Sequence, residues 1–146
     1  MALIGRSGCG KTALMSKLAA LLAEEEMSKS DIASQRPVIV RFCGTSAGSV
    51  SGLRLVQSMS LQIAFAVGLG VVTVPDTYKE AVAYFEHLVR SHAVVLLIDS
   101  LDQLTDADQA RSQLTFLRGV RPHPGTRIVV SALPDERDGA GRIVYW

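Results

Sequence analysis

The chain alternates between short unbroken apolar runs and longer stretches in which apolar residues recur every three or four positions. Runs of the first kind read as strands buried on both faces, and stretches of the second kind as amphipathic helices. Ala2-Leu3-Ile4 is a stub of strand, and residues 12–26 read as a helix with Leu14, Leu18, Leu21 and Leu22 at helical spacing. Residues 37–43 (PVIVRFC) are a strand rich in β-branched side chains. Two further helices are predicted over 53–67 and 78–91, the second with Ala81, Tyr84, Phe85 and Leu88 on one face. Residues 93–98 form an apolar strand ending in Asp99. A fourth helix is predicted over 106–117, with Gly125 closing the loop after it, then a strand over 126–132 (TRIVVSA). Ile143-Val144-Tyr145 begins one more. The repeated βα order predicts an α/β, three-layer sandwich: a parallel sheet with helices on both faces.

Length and charge narrow the class. A chain of 146 residues suits one domain, here residues 1–146. The longest apolar run, residues 61–74, is interrupted by Gln62 and Thr73. It is shorter than the roughly 20 residues a membrane span needs. It reads as a helix end, a break at Gly68 and Gly70, and a short extended piece. Net charge is +1 and the charges are dispersed, which argues against the basic stripe of a nucleic-acid binder. Glu24-Glu25-Glu26 reads as the solvated end of a helix. Cys9 and Cys43 have no CxxC partner, so they read as reduced thiols of a cytoplasmic protein rather than zinc ligands. His87, His92 and His123 are scattered helix or loop residues, and no basic leader of a secretory signal opens the chain.

Gly5-Arg6-Ser7-Gly8-Cys9-Gly10-Lys11-Thr12 matches G-x-x-x-x-G-K-[ST] at every fixed position. The glycines let the backbone wrap an anion with its N–H groups inward, and the helix that follows adds its positive end. Such a match arises by chance in a chain of this length on the order of 1 time in 200. Gly5, Gly8, Cys9, Gly10, Lys11, Thr12 and Ala13 are therefore the candidate nucleotide-binding residues. Lys11 reaches the β- and γ-phosphates and is also a catalytic candidate, while the Thr12 hydroxyl is a candidate Mg²⁺ ligand.

Val94-Val95-Leu96-Leu97-Ile98-Asp99 has the Walker B form, an apolar strand ending in a carboxylate. Ligands of open α/β sheets bind beyond the carboxyl ends of the strands, so Asp99 is the second candidate metal residue. Asp102 is a candidate to polarise the attacking water, or alternatively a structural or Mg-network residue. Gln103 can orient a water but not take its proton. Ser131, at the end of the next strand, can contact the γ-phosphate or the attacking water, or alternatively is a solvated strand end. An acidic strand that comes this late is compatible with P-loop proteins whose sensor strand lies between the two Walker strands. The chain contains no asparagine, hence no Asn-Lys-x-Asp guanine loop, and ATP is favoured over GTP.

The segments GRSGCGKTALM, RPVIVRFCGTS, VVLLIDSLDQL and RIVVSALPD together resemble the NACHT-type NTPases of the STAND class. The likeness is greatest to the branch coupled to WD repeats (telomerase-associated-protein-like and nephrocystin-3-like), and it covers nearly the whole chain. It implies a nucleotide-dependent switch, closed with ADP and open and self-associating with ATP, with protein partners reached through further domains. By motif it assigns Gly5, Gly8, Gly10, Lys11 and Thr12 to phosphate and Mg²⁺, Asp99 to Mg²⁺, Asp102 to the acidic hydrolysis motif and Ser131 to the sensor strand. Two departures weaken hydrolysis more than binding. Ser131-Ala132-Leu133-Pro134 lacks the arginine of Thr-Ser-Arg-Pro, and Asp102-Gln103 stands where many members carry Asp-Glu. Only three residues precede Gly5, and the chain stops at Tyr145-Trp146, so the sheet reads as truncated at both ends.

Two other functions compete with the ATP switch. One is a non-catalytic nucleotide-binding or interaction scaffold. The other is a small-molecule kinase, for which Arg137 and Arg142 are the only clustered lid arginines.

Overall fold

The computed structural model describes residues 1–31 and 34–134; Arg137, Arg142 and the strand expected at 143–145 lie outside the described residues. Four strands form one parallel sheet: β1 (Ala2–Ile4), β2 (Val38–Phe42), β3 (Val95–Asp99) and β4 (Arg127–Ala132), in the spatial order β1-β4-β3-β2. The strand of Ser131 thus lies between the strand that feeds the phosphate loop and the one that ends in Asp99. Among the described residues three α-helices cover it: α1 (Lys11–Met27), α2 (Gly52–Ala66) and α3 (Tyr78–Ser91).

Strand alternation builds two cores. On β3, Val95 and Leu97 face α1, where they meet Met15 and Leu22, with Val129 of β4 beside them. Leu96 and Ile98 point the other way, into a larger cluster with Val56, Met59 and Ile63 of α2 and Phe85 and Leu88 of α3. All five β3 residues are buried, as a central strand covered on both faces requires. The three-layer α/β sandwich is therefore as the apolar pattern implies.

Helix ends follow local chemistry. Ser51 and Thr77 cap α2 and α3 by accepting the N–H of Arg54 and Glu80. Gly52 opens α2 because a Cβ there would lie 2.5 Å from the Ala110 side chain. After α2 the chain breaks at Gly68 and Gly70, both with positive φ, and residues 71–75 follow without strand pairing.

Three expectations are corrected. On α1 it is Met15 and Leu22, with Leu18 partly covered, that face the sheet, whereas Leu14 and Leu21 are exposed. At about 100° per residue Leu18, Leu22, Met15 and Ala19 share the sector turned to the sheet, while Leu14 and Leu21 fall at its edge. Glu26 is not solvated: it is buried under Arg36 and Lys29.

The predicted helix over 106–117 is instead a 3-10 turn (Ala107–Gln109) followed by irregular turns. Asp106 accepts the backbone N–H of Ser112 at 2.7 Å, a side-chain bond that competes with helical pairing. Asp108, Gln109 and Leu114 take positive φ. Phe116 and Ala110 are fully buried and anchor the segment to the core. Tertiary burial outweighs the modest helical preference of these residues.

Candidate functional site

The carboxyl ends of β1, β3 and β4 bring the motif residues together at the N-terminus of α1. The loop runs from Gly5 to Gly10, with Gly8 and Gly10 at φ 75° and 88°, a region open to glycine and strained for other residues. Gly10 caps α1 with no side-chain cap, so the first-turn N–H groups of Lys11, Thr12 and Ala13 have no intrahelical acceptor. Lys11 Nζ donates to the Gly5 carbonyl at 2.5 Å and the Arg6 carbonyl at 3.0 Å. Its charge is thereby held over the loop. The Cys9 thiol lies 4.0 Å from Lys11 Nζ and packs over Gly5, where an added Cβ would sit 2.8 Å from the sulfur.

Strand alternation explains the pairing across the sheet. Asp99 continues the face of Val95 and Leu97, toward α1. There its Oδ2 accepts the Thr12 hydroxyl at 2.7 Å. Ser131 continues the face of Val129, and its hydroxyl donates to Asp99 Oδ1 in a short bond. The Ser131 Oγ in turn accepts the Ser100 N–H at 2.9 Å. Asp99 and Ser131 are both buried, so this network is shielded from solvent. Ser100 adopts φ 59°, a left-handed conformation that turns the chain sharply after the acidic residue.

The donor set suits a hard divalent cation. A threonine hydroxyl and a carboxylate, 2.7 Å apart, are oxygen donors of the kind Mg²⁺ takes when phosphates and waters complete its shell. Among the described residues no three His, Cys, Asp or Glu side chains group as a dedicated metal cage.

Asp102 and Gln103 sit on the 3-10 turn Leu101–Gln103 that follows β3. Asp102 Oδ1 accepts the Leu133 N–H at 2.8 Å, and its Oδ2 accepts Gln103 Nε2 at 2.7 Å. An open pocket of about 320 Å³ is lined by Gly8, Gly10, Lys11, Thr12, Asp102 and Gln103, among others. Ser7 and Leu133 also line it, and the motif gave no reason to single them out. Gly44, just beyond β2, presses on Gln103 with φ 78°; its one legible signal is a glycine directly after a strand. Cys43 is buried below, its backbone N–H on the Asp99 carbonyl at 3.0 Å. Burial, with the Asp99 and Asp102 charges adding to it, pushes the Cys43 thiol up to about 12.

Comparison with known proteins gives the family. A family model described as the NACHT domain matches residues 1–144. The human NACHT domain- and WD repeat-containing protein 1 is 32% identical over 119 residues, 76% of this chain and 7% of that protein. The mouse NACHT and WD repeat domain-containing protein 2 is 31% identical over 135 residues, 87% of this chain and again 7% of its length. The chain thus spans a small fraction of the relatives it matches. Among solved structures, a chain of the Drosophila ORC bound to GC-rich DNA and Cdc6 aligns with a TM-score of 0.43 at 15% identity, covering 88% of this chain and 53% of its own. No helix of the described residues is long and apolar enough to cross a membrane. The family match over nearly the whole chain, on a parallel sheet whose strand ends gather a phosphate loop and an acidic strand terminus, means that this chain belongs to the NACHT domain family and is a nucleotide-binding P-loop NTPase module.

Proposed function

We propose that this module binds ATP with Mg²⁺, hydrolyses it slowly, and serves as a nucleotide-controlled switch in cytoplasmic signalling and assembly. The observation that carries the reading is the 2.7 Å contact between the Thr12 hydroxyl and Asp99, set directly above the phosphate loop. Gly8 and Gly10 shape the loop, and the N–H groups of Lys11, Thr12 and Ala13 face the phosphates. Lys11 places its charge on the β- and γ-phosphates. Thr12 and Asp99 would hold the cation, and Ser131 donates to the Asp99 carboxylate from β4. Bound there, Mg²⁺ neutralises charge on the β- and γ-phosphate oxygens. The absence of asparagine from the sequence supports ATP over GTP. Self-association and WD-repeat partners rest on the resemblance to longer relatives.

Calorimetry of ATP and ADP, with and without Mg²⁺, tests the site on this chain and on Lys11→Ala. Mg-dependent binding is expected in the wild type and none in the variant. Equal binding by the two would sink the reading. A non-catalytic nucleotide-binding scaffold is the second reading, favoured by one observation: both Asp102 carboxylate oxygens are already engaged by protein donors. Retained binding without phosphate release would select it.

A further inference from the structure

Asp102 is the obvious carboxylate to take a proton from water, yet its contacts describe another task. Its Oδ1 accepts the Leu133 N–H at 2.8 Å, joining the turn after β3 to the end of β4. Its Oδ2 accepts Gln103 Nε2 at 2.7 Å. A carboxylate only accepts, so the Gln103 amide must present its N–H₂ to Asp102, leaving Oε1 as the acceptor. On the opposite side the bare Gly44 leaves the space that the Gln103 side chain fills. A Cβ on Gly44 would lie 2.8 Å from Gln103 Cβ and 2.9 Å from Cγ. The neighbouring turn is tied to the loop after β2 as well, through the Thr105 N–H on the Val50 carbonyl at 2.8 Å. Gln103 therefore lies on the pocket wall shared with Lys11 and Thr12, its amide oriented by Asp102 and its side chain in space that a Cβ at position 44 would fill.

We propose that Gln103 is the water-orienting residue of this site, and that Asp102 and Gly44 are positioning residues acting through it. The inference rests on the ATP-hydrolysing reading above. The Gln103 Oε1 accepts one O–H of the attacking water and turns its lone pair toward the γ-phosphorus. The water oxygen bonds to phosphorus as the bond to the β–γ bridging oxygen breaks, and ADP leaves with that electron pair. One water proton remains on the departing hydrogenphosphate and the other passes to solvent. A neutral amide orients without taking a proton, so turnover is slow.

The test is steady-state phosphate release by this chain, measured as kcat and KM from pH 6 to 9. The variants are Asp102→Asn, Gln103→Ala, the double variant and Gly44→Ala, with Lys11→Ala as background. Misorienting the water is expected to lower kcat by about 10²-fold in each single variant, with KM within about threefold. The double variant should be no slower than Gln103→Ala, because both changes act through one group. The rate–pH profile of Asp102→Asn should keep the wild-type shape. Gln103 is exposed, so Gln103→Ala folds even if Gly44→Ala does not. Asp102→Asn abolishing turnover while Gln103→Ala and Gly44→Ala stay near wild type would overturn the proposal, as would losses that multiply in the double variant. Mg-ATP binding with no release above the Lys11→Ala background would overturn it while leaving the nucleotide site standing. No Mg-ATP binding at all would overturn the reading beneath it.

Discussion

The two cysteines show how far a residue's surroundings set its chemistry. Cys9 is exposed on the phosphate loop and Cys43 is buried beneath Asp99 and Asp102. Thiolate is the reactive form, and burial followed by those two charges holds Cys43 near 12. Iodoacetamide at pH 8 is therefore expected to alkylate Cys9 alone in the native chain, and Cys43 only after unfolding in urea. Mass spectrometry of the labelled peptides reads this directly; rapid native labelling of Cys43 would contradict the burial. At this scale the sequence was most informative where chemistry demands a residue type whatever its surroundings. Gly8, Gly10, Lys11, Thr12 and Asp99 stand out in the sequence because a loop with positive φ and the proposed phosphate and metal chemistry leave few alternatives. Gly44 was not, since its requirement comes from Gln103, a residue on another loop.

Elements add partners that local patterns do not name. Glu26 closes α1 and accepts Arg36 Nε at 2.8 Å, the Arg36 N–H at 2.7 Å and Lys29 Nζ at 2.5 Å. Burial alone would raise its pKa, but the bonds from Arg36 and Lys29 outweigh that and lower it from 4.5 to about 2. A carboxylate with a depressed folded pKa stabilises the fold above its unfolded value and loses that contribution as pH falls. The window here runs from about 4.5 down to about 2. The contribution at neutral pH is on the order of 3 kcal/mol. Glu26→Gln is expected to be less stable by about that amount at pH 7 and to lack the decline between pH 5 and 2. Urea midpoints across that range check it; parallel curves for the two proteins would refute it. The run of three glutamates resembled any solvated helix end, because Arg36 lies on the strand approach ten residues later.

The segment over 106–117 is the converse case, a helix-like spacing that the fold does not use. Its apolar residues are spent on single anchors, Ala110 and Phe116, rather than on a stripe. Phe116→Ala is expected to cost about 3–5 kcal/mol, as for a fully buried aromatic. A loss under about 1 kcal/mol in urea unfolding would show that Phe116 anchors nothing.

For the whole molecule, the site is a property of the sheet order. Placing β4 between β1 and β3 sets Ser131 beside Asp99 and both beside the first turn of α1. The proposed ligand, held by strand ends and a helix, would bind only the folded chain. Mg-ATP at about 100 times its Kd should thus add roughly 2.7 kcal/mol, a rise in Tm on the order of 5–10 °C. Thermal unfolding with and without Mg-ATP measures it, and Lys11→Ala should show no shift.

What the sequence by itself determined is the class of architecture and the consecutive motif on which the proposed phosphate site rests. Apolar runs and helical spacings encode burial locally, and the phosphate loop needs its residues consecutively. Tertiary structure alone decided which face of α1 is covered, why Glu26 is buried, and that residues 106–117 are not a helix. It also decided that Asp102, Gln103 and Leu133 share one wall of the pocket and that Gly44 lies next to Gln103. Apart from that between the neighbours Asp102 and Gln103, those contacts join residues distant in the chain, through sheet order and side-chain packing, and no local periodicity carries that information.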